Sequence, residues 1–384
     1  MSAFQPLSPA GPLDKGIQRR LLALSGSMGF LMYGLGYTVP LVRRDLHISR
    51  AIASIHQLTF ASLLMLSSFF LARIISRYNP TIVMRMGWLI VVVGTCFYTW
   101  GPNIWVTVPG YSFCAIGATF VNNTNAATLG QAKGSSLPLM LRTTGIATAT
   151  GAFAPTIIGA LVGRGASWRL VLLIFVLVVG LISMKAVPNI PDRSPVKSAT
   201  EKSFDKEFSL MMSLGLAANF MEIGAGAWAL DLLIARGLGN SAALVLATIF
   251  SFGIASGRLG FSMRADIGVV KIWTFSTIVT AVGLAVIIAT SNGGLTVLGL
   301  IIAAIGIGPF GGIALAFASD SPKGADLGIS ANVIGAALAI GIGPWVIGTV
   351  SDGWGFSAAY SITAAMLVAA TVLFVMVQRD RTRA

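Results

Sequence analysis

Residues 293–318 read GGLTVLGLIIAAIGIGPFGGIALAFA, a run with no charged side chain. A helix gains about 1.5 Å per residue, so roughly 20 apolar residues cross the ~30 Å hydrocarbon core of a bilayer. Inside that core no water serves the backbone, so a spanning segment is either a helix or a strand of a closed barrel. Barrel strands are short and alternate between apolar and polar residues. This run is long and does not alternate. It predicts a membrane-spanning helix.

Eleven further runs have the same character: Leu21–Val42, Ala51–Ala72, Ile82–Trp100, Ile104–Leu129, Pro138–Val162, Leu170–Ala186, Phe208–Ile234, Ser241–Gly257, Val269–Thr290, Gly328–Val350 and Phe356–Val377. The predicted fold is an all-α membrane protein of twelve helices. Composition agrees, because 55% of the 384 residues are apolar and only 10% are charged, against about a quarter charged in soluble domains. The formal charge of +13 does not indicate nucleic acid, which requires a basic patch or stripe on a folded surface. Here the basic residues lie singly or in small groups between apolar runs. Cys96 and Cys114 fall inside apolar runs and imply no disulfide framework. With only His47 and His56 as histidines, no zinc spacing exists, so no metal or cofactor is implied.

The longest polar stretch inside the chain is PNIPDRSPVKSATEKSFDKE, residues 188–207. It follows the sixth run and divides the chain into 21–187 and 208–377, flanked by polar tails at 1–20 and 378–384. It reads as a linker between two six-helix halves. The run after the N-terminal tail is longer than a signal-peptide core and reads as a retained first helix. With the N-terminus inside, Lys and Arg divide twenty to six in favour of the cytoplasmic loops, which predicts both termini to be cytoplasmic. That count places Arg258 in a loop just past the eighth run. The two halves also match internally. Ala115-Ile116-Gly117 and Ala304-Ile305-Gly306 are 189 residues apart, as are Pro155 and Pro344, and Gly159 and Gly348.

On these residues the chain resembles the major facilitator superfamily (MFS). Gly151-Ala-Phe-Ala-Pro155-Thr-Ile-Ile-Gly159 and Gly341-Ile-Gly343-Pro344-Trp-Val-Ile-Gly348 are similar to that family's Gly-Pro-x-x-Gly element in helices five and eleven. Ser167-Trp168-Arg169 and Gly353-Trp354-Gly355-Phe356 are similar to its re-entry into helices six and twelve. The loop motif Gly-x-x-x-Asp-Arg-x-Gly has its Arg at Arg77, while Ser76 stands for the Asp, and Ala72 and Asn79 for the glycines. The resemblance implies two six-helix bundles related by a pseudo-two-fold axis and working by alternating access. It also implies a multi-pass protein of the cytoplasmic (plasma) membrane, usually monomeric, with Arg77 at a gate.

An ionisable residue within a spanning helix is a functional candidate, because it is expensive there. Glu222 lies about 21 Å along the seventh run at helical rise, with Asn219 and Gly226 on its face. Desolvation favours the neutral form of a carboxyl, which makes Glu222 the expected proton-coupling group. Arg142 offers bidentate contact to an anion, and also the ordinary alternative of snorkelling to the interface. Asn122 and Asn125 share a face of the fourth run and either line a polar cavity or bond neighbouring helices. Tyr33, Tyr37 and Trp228 are candidate cavity aromatics, and packing is the alternative for each. Asp231 and Asp320 stand near helix ends, where a gate works, and His56 is expected at the surface.

The reading is a secondary active transporter of a small solute in a lipid bilayer, with protons as a candidate coupling ion. No Gly-Lys-Ser/Thr phosphate loop appears. The alternative is a non-transporting membrane sensor or a membrane-embedded enzyme. An enzyme needs a convergent nucleophile, base or metal set, and none stands out in the sequence.

Overall fold

Apolar runs too long for strands leave the backbone one way to bond itself, and the structure, a computed structural model, consists of helices. It describes residues 14–383 except 49, 54, 76, 131–135, 163, 191–205 and 322–324. Most of the N-terminal tail, most of the linker and Ser76 of the loop motif therefore lie outside the described residues.

Ten long helices run α1 Lys15–Tyr37, α2 Ile55–Ile75, α3 Pro80–Trp100, α4 Ile104–Gly130, α5 Ser136–Val162, α6 Trp168–Ala186, α7 Lys206–Ala227, α8 Asn240–Ser262, α9 Val269–Ala289 and α10 Gly293–Ser319. A last helical stretch, Ala325–Arg383, is broken at Gly355, whose φ of 80° lies in the left-handed region that glycine tolerates. The break separates α11 (325–354) from α12 (356–383). Twelve helices result, as the runs predict. Large apolar side chains such as Phe97, Ile182, Ile278 and Val368 are more than half exposed, as befits a surface wetted by lipid rather than water.

Helix ends follow local chemistry. Asp14 caps α1 by accepting from Ile17 N at 3.1 Å, so α1 begins before the apolar run does. Asn79 caps α3 by accepting from Thr81 N at 2.8 Å, with Pro80 in the first turn. The first run, Leu21–Val42, is split, because α1 ends at Tyr37 and a short helix Val39–Asp45 follows Thr38. Two further runs also depart from the sequence reading. The seventh run is not one helix, because α7 ends at Ala227 and a short helix Ala229–Ala235 restarts after Trp228. The eighth run does not stop at Gly257. The α8 helix continues to Ser262 and carries Arg258 inside it, 5% exposed.

Packing recurs at a period of six helices. The α1–α5, α3–α4 and α2–α4 pairs have counterparts in α7–α11, α9–α10 and α8–α10. The repeated glycines show why. A Cβ on Gly117 would lie 2.5 Å from Gly87 O on α3, and one on Gly306 would lie 2.5 Å from Thr280 N on α9. Gly159 receives the Tyr37 ring hydroxyl, and Gly348 receives the Trp228 indole. Small residues are what let membrane helices approach closely.

The two faces of the molecule can be told apart by their contacts. On one, Lys206 pairs with Asp380 at 2.8 Å, and Thr81 Oγ1 donates to Pro188 O at 3.0 Å. The start of α7, the end of α12 and the start of the linker therefore share the terminus side. On the far side, Asp45 accepts from Trp168 Nε1 at 2.8 Å and from Arg169 Nε at 3.1 Å. The Ser167-Trp168-Arg169 segment thereby ties the start of α6 to the end of the short helix Val39–Asp45 that follows α1.

Candidate functional site

Glu222 lies in the interior of α7, where an unpaired carboxylate is costly, and the structure supplies its partner. Arg258 Nη2 donates to Glu222 Oε2, and the two side chains are 6% and 12% exposed respectively. The rest of the guanidinium is also engaged. Its Nε donates to Gly308 O on α10 at 2.8 Å. Its Nη1 donates to Thr148 Oγ1 and, at 3.4 Å, to Thr144 O, both on α5. One side chain of α8 thus binds α7 and α10 in the second six helices and α5 in the first six.

Several further groups converge on that pair. Asn219 uses its Nδ2 on Gly215 O at 2.8 Å, which leaves Oδ1 facing the pair. A Cβ placed on Gly311 would lie 3.1 Å from Arg258 Nη2, 3.8 Å from Asn219 Oδ1 and 4.0 Å from Glu222 Oε2. The glycine therefore lets those three groups close together where a side chain would crowd the guanidinium. From α1, Tyr33 comes close to Glu222, Arg258 and Thr148, while its ring packs against Gly151. The cluster contains one acid, one base, one phenol, one amide and one threonine hydroxyl, with backbone carbonyls from α5 and α10. It has the charge balance of a neutral site and the donors and acceptors of a binding site.

Of the sequence candidates, the structure brings Tyr33, Asn219 and Glu222 together. Arg258 was missed, because the eighth run was ended at Gly257 and Arg258 was counted as a loop cation. The available signal was length. Seventeen residues fall short of the roughly 20 needed to cross a bilayer, and extending the run by three takes in Arg258. Without Arg258 the basic residues still divide nineteen to six.

The other candidates lie elsewhere. Arg142 is exposed on α5, one residue and so about 100° round the helix from Leu141, whose side chain faces Gly312 of α10. Asn122 is exposed, whereas Asn125 is buried and donates to Leu21 O at 2.9 Å and Ser25 Oγ at 2.6 Å. The shared face therefore splits, and Asn125 bonds α4 to α1. Asn125→Leu is expected to cost about 0.6–1.7 kcal/mol, the range for interhelical hydrogen bonds in membranes, measured by unfolding in mixed micelles.

Tyr37 packs on Gly159 at the far end of α1. Trp228 donates from Nε1 to Pro344 O at 2.7 Å and borders a cavity of about 750 Å³ between α2 and α11, lined also by Gln57, Met65, Trp345 and Asp352. That cavity lies on the far side of the cluster, since Trp228 is six residues, or about 9 Å, beyond Glu222. Asp231 and Asp320 are exposed at helix ends, and Arg77 is exposed between α2 and α3. His56 corrects the sequence reading. It is fully buried, with Nδ1 on Ala53 O at 2.9 Å, Nε2 on Thr107 Oγ1 at 3.0 Å, and Tyr98 and Tyr111 edge-on to its ring. A ring whose two nitrogens both find partners can be buried, and nothing in the sequence around residue 56 revealed Thr107 as one of them.

No protein-family model matches the sequence, and no curated protein does either. Solved structures match in shape. FucP, a major facilitator superfamily transporter in the outward conformation, gives a TM-score of 0.75 at 13% identity over 94% of this chain and 98% of that one. A bacterial homologue of the iron transporter ferroportin, outward-facing with soaked iron, gives 0.75 at 12% over 94% and 99%. The proton:xylose symporter XylE gives 0.74 at 10% over 94% and 95%. At such identities the likeness is one of fold, and the chain has the all-helical fold of major facilitator superfamily transporters.

Proposed function

We propose that this chain is a secondary transporter that moves a small solute across a membrane by alternating access between two six-helix halves, with Glu222 as its proton-binding group. The observation that carries the reading is the buried Glu222–Arg258 pair, bonded across to Thr144 and Thr148 of α5. A charge pair inside a membrane protein marks a pathway or relay by default. This one joins helices from both sets of six. When the halves rock apart, the Arg258 contacts to α5 must break, so the state of the ion pair and the state of the halves are linked.

The shape relatives favour the same class. FucP of E. coli is a fucose:proton symporter, XylE a proton:xylose symporter, and the human protein TETRAN an organic anion transporter. In this reading both termini face the cytoplasm, as the excess of basic residues on the terminus side favours. The cavity beside Trp228 then opens outward, and Tyr33 and Asn219 contact the solute beside Glu222. Arg77, Asp231 and Asp320 stand at helix ends where gates would form.

The test uses the full chain in proteoliposomes, with solute-induced currents and pH-driven uptake recorded across a panel of sugars, amino acids, organic acids and amines. Glu222→Gln is expected to abolish uptake driven by a pH gradient. Unchanged pH-driven uptake in that variant overturns the assignment of Glu222, and a panel without any solute-dependent signal overturns the transporter reading.

A further inference from the structure

We propose that the Arg258 guanidinium is the receptor for a carboxylate on the transported solute, and that Glu222 holds that receptor while no solute is bound. This rests on the transporter reading and narrows the cargo to small organic anions bearing one carboxylate, each carried with one proton.

Three observations lead there. The first is how Arg258 is held. Neutral acceptors on two other helices, Gly308 O and the Thr144–Thr148 turn, fix the guanidinium through Nε and Nη1. Its charge is answered through Nη2 by Glu222. A guanidinium clamped by uncharged groups, with one edge turned to a carboxylate, is built to bind a carboxylate.

The second is the close meeting of polar groups beside that edge, with no side chain between them. Gly311 places no side chain where Arg258 Nη2, Asn219 Oδ1 and Glu222 Oε2 converge, and a Cβ there would already crowd the guanidinium at 3.1 Å. The neighbours of that meeting point are an amide and the Tyr33 phenol, both able to bond a polar group without adding charge.

The third is charge. An unpaired guanidinium or carboxylate in this interior is strongly disfavoured. Glu222 can therefore leave Arg258 only if a second anion replaces it, and the displaced Glu222 then needs a proton. Among the described residues, the groups facing Glu222 supply no alternative counter-charge. From α8 there is Arg258 itself, and from α1 Tyr33. From α10 come Gly308 and Gly311, from α5 Thr144 and Thr148, and α11 packs on α7 through Asn332 and Ile347. The loaded site is Arg258 cation, solute anion and neutral Glu222, with the same net charge as the empty one. A cationic or uncharged solute cannot release Glu222 in this way.

The experiment uses the purified full chain in detergent micelles. Glu222→Ala removes the resident carboxylate and leaves space for a short acid. Sodium propionate is expected to raise the melting temperature of this variant saturably, whereas propionamide or sodium chloride at equal concentration does not. Adding Arg258→Met should abolish the effect. Should Glu222→Ala not fold, Glu222→Gln is titrated beside the wild type. Wild-type affinity for propionate should then rise as the pH is lowered, by up to tenfold per unit for one proton taken up. The dependence should vanish in Glu222→Gln.

Equal rescue by propionamide, or chloride matching propionate, overturns the carboxylate receptor while leaving pH-driven transport to stand or fall on its own assay. Propionate rescue without any pH-driven solute uptake in proteoliposomes leaves the anion site standing and removes the transporter.

Discussion

Arg258→Ala is expected to destabilise the protein by about 3–5 kcal/mol, because it strands Glu222 as a buried carboxylate without its counter-charge. The effect is read by unfolding in mixed micelles of increasing denaturing detergent. The side chain leaves behind more than one vacancy. Gly308 O and Thr148 Oγ1 each lose a charged donor, and hydrogen bonds to charged groups contribute about 1.5–3 kcal/mol. A second substitution separates the terms. Arg258→Met with Glu222→Met removes both charges and fills the volume with flexible apolar side chains, so most of the loss should be recovered, since replacing a whole buried pair by hydrophobes is often neutral or better. With the Arg258→Met and Glu222→Met single variants measured as well, the loss in the double variant minus the sum of the two single losses is the coupling. A single-variant loss below about 1 kcal/mol would mean that the pair is solvated and behaves as a surface pair does. The double variant should also be inert in transport, because the same two charges serve the proposed cycle. Recovered stability with lost transport is the signature that separates a functional pair from a structural one.

The number and placing of the helices were readable because the signal is additive over many residues. Each run has roughly twenty chances to show its character, and one misjudged residue moves an end without removing a helix. The site had no such averaging. Glu222 was legible, since a single acid inside an apolar run is conspicuous whatever it touches. Its partner was not, because Arg258 falls four residues before the end of α8, where a cation reads as a loop residue or a snorkelling one. Asn122 and Asn125 failed for the complementary reason. Helical periodicity puts them on one face, but which part of that face meets α1 is decided by the packing of another helix. His56 shows the same limit, because a histidine at the start of a run looks exposed until Thr107, from another helix, is brought to its Nε2. Periodicity assigns faces. Only the assembled bundle assigns neighbours.

The internal repeat carries more physical content than the few matching letters suggest. Pro155 and Gly159 on α5 have their counterparts in Pro344 and Gly348 on α11, and each glycine faces an aromatic at the far end of the partner helix of its own pair, Tyr37 closing α1 or Trp228 just past α7. The repeat conserves a requirement, that a small residue stand where a ring must fit, while the ring itself changes. The second site shares nothing of this kind. Gly311 stands beside Arg258 and Glu222, but Asn122, its counterpart in the first half at the same offset, is exposed. Packing follows the repeat and the charged cluster does not, as expected if the scaffold is duplicated and the chemistry is placed on one half.

Gly29→Val and Gly335→Val test whether those two seams belong to separate bodies. A Cβ on Gly29 would lie 2.1 Å from Ala147 O on α5, and one on Gly335 would lie 1.9 Å from Met212 O on α7. Both obstacles are backbone, so no rotamer change can yield and the helices themselves must part. Overpacking a well-filled interface costs about 1–3 kcal/mol and sometimes more, and valine adds two further methyl groups to the obstructing carbon. Each variant should therefore lose at least that much stability in the mixed-micelle assay. If α1–α5 and α7–α11 lie in different halves, the two losses should add to within about 0.5 kcal/mol, as for distant sites without shared partners. A coupling well above that figure would mean that the seams yield together, and rigid halves rocking about a fixed site would lose their mechanical basis. Additive losses, with pH-driven transport falling in each variant, would instead place the moving boundary where Arg258 reaches α5.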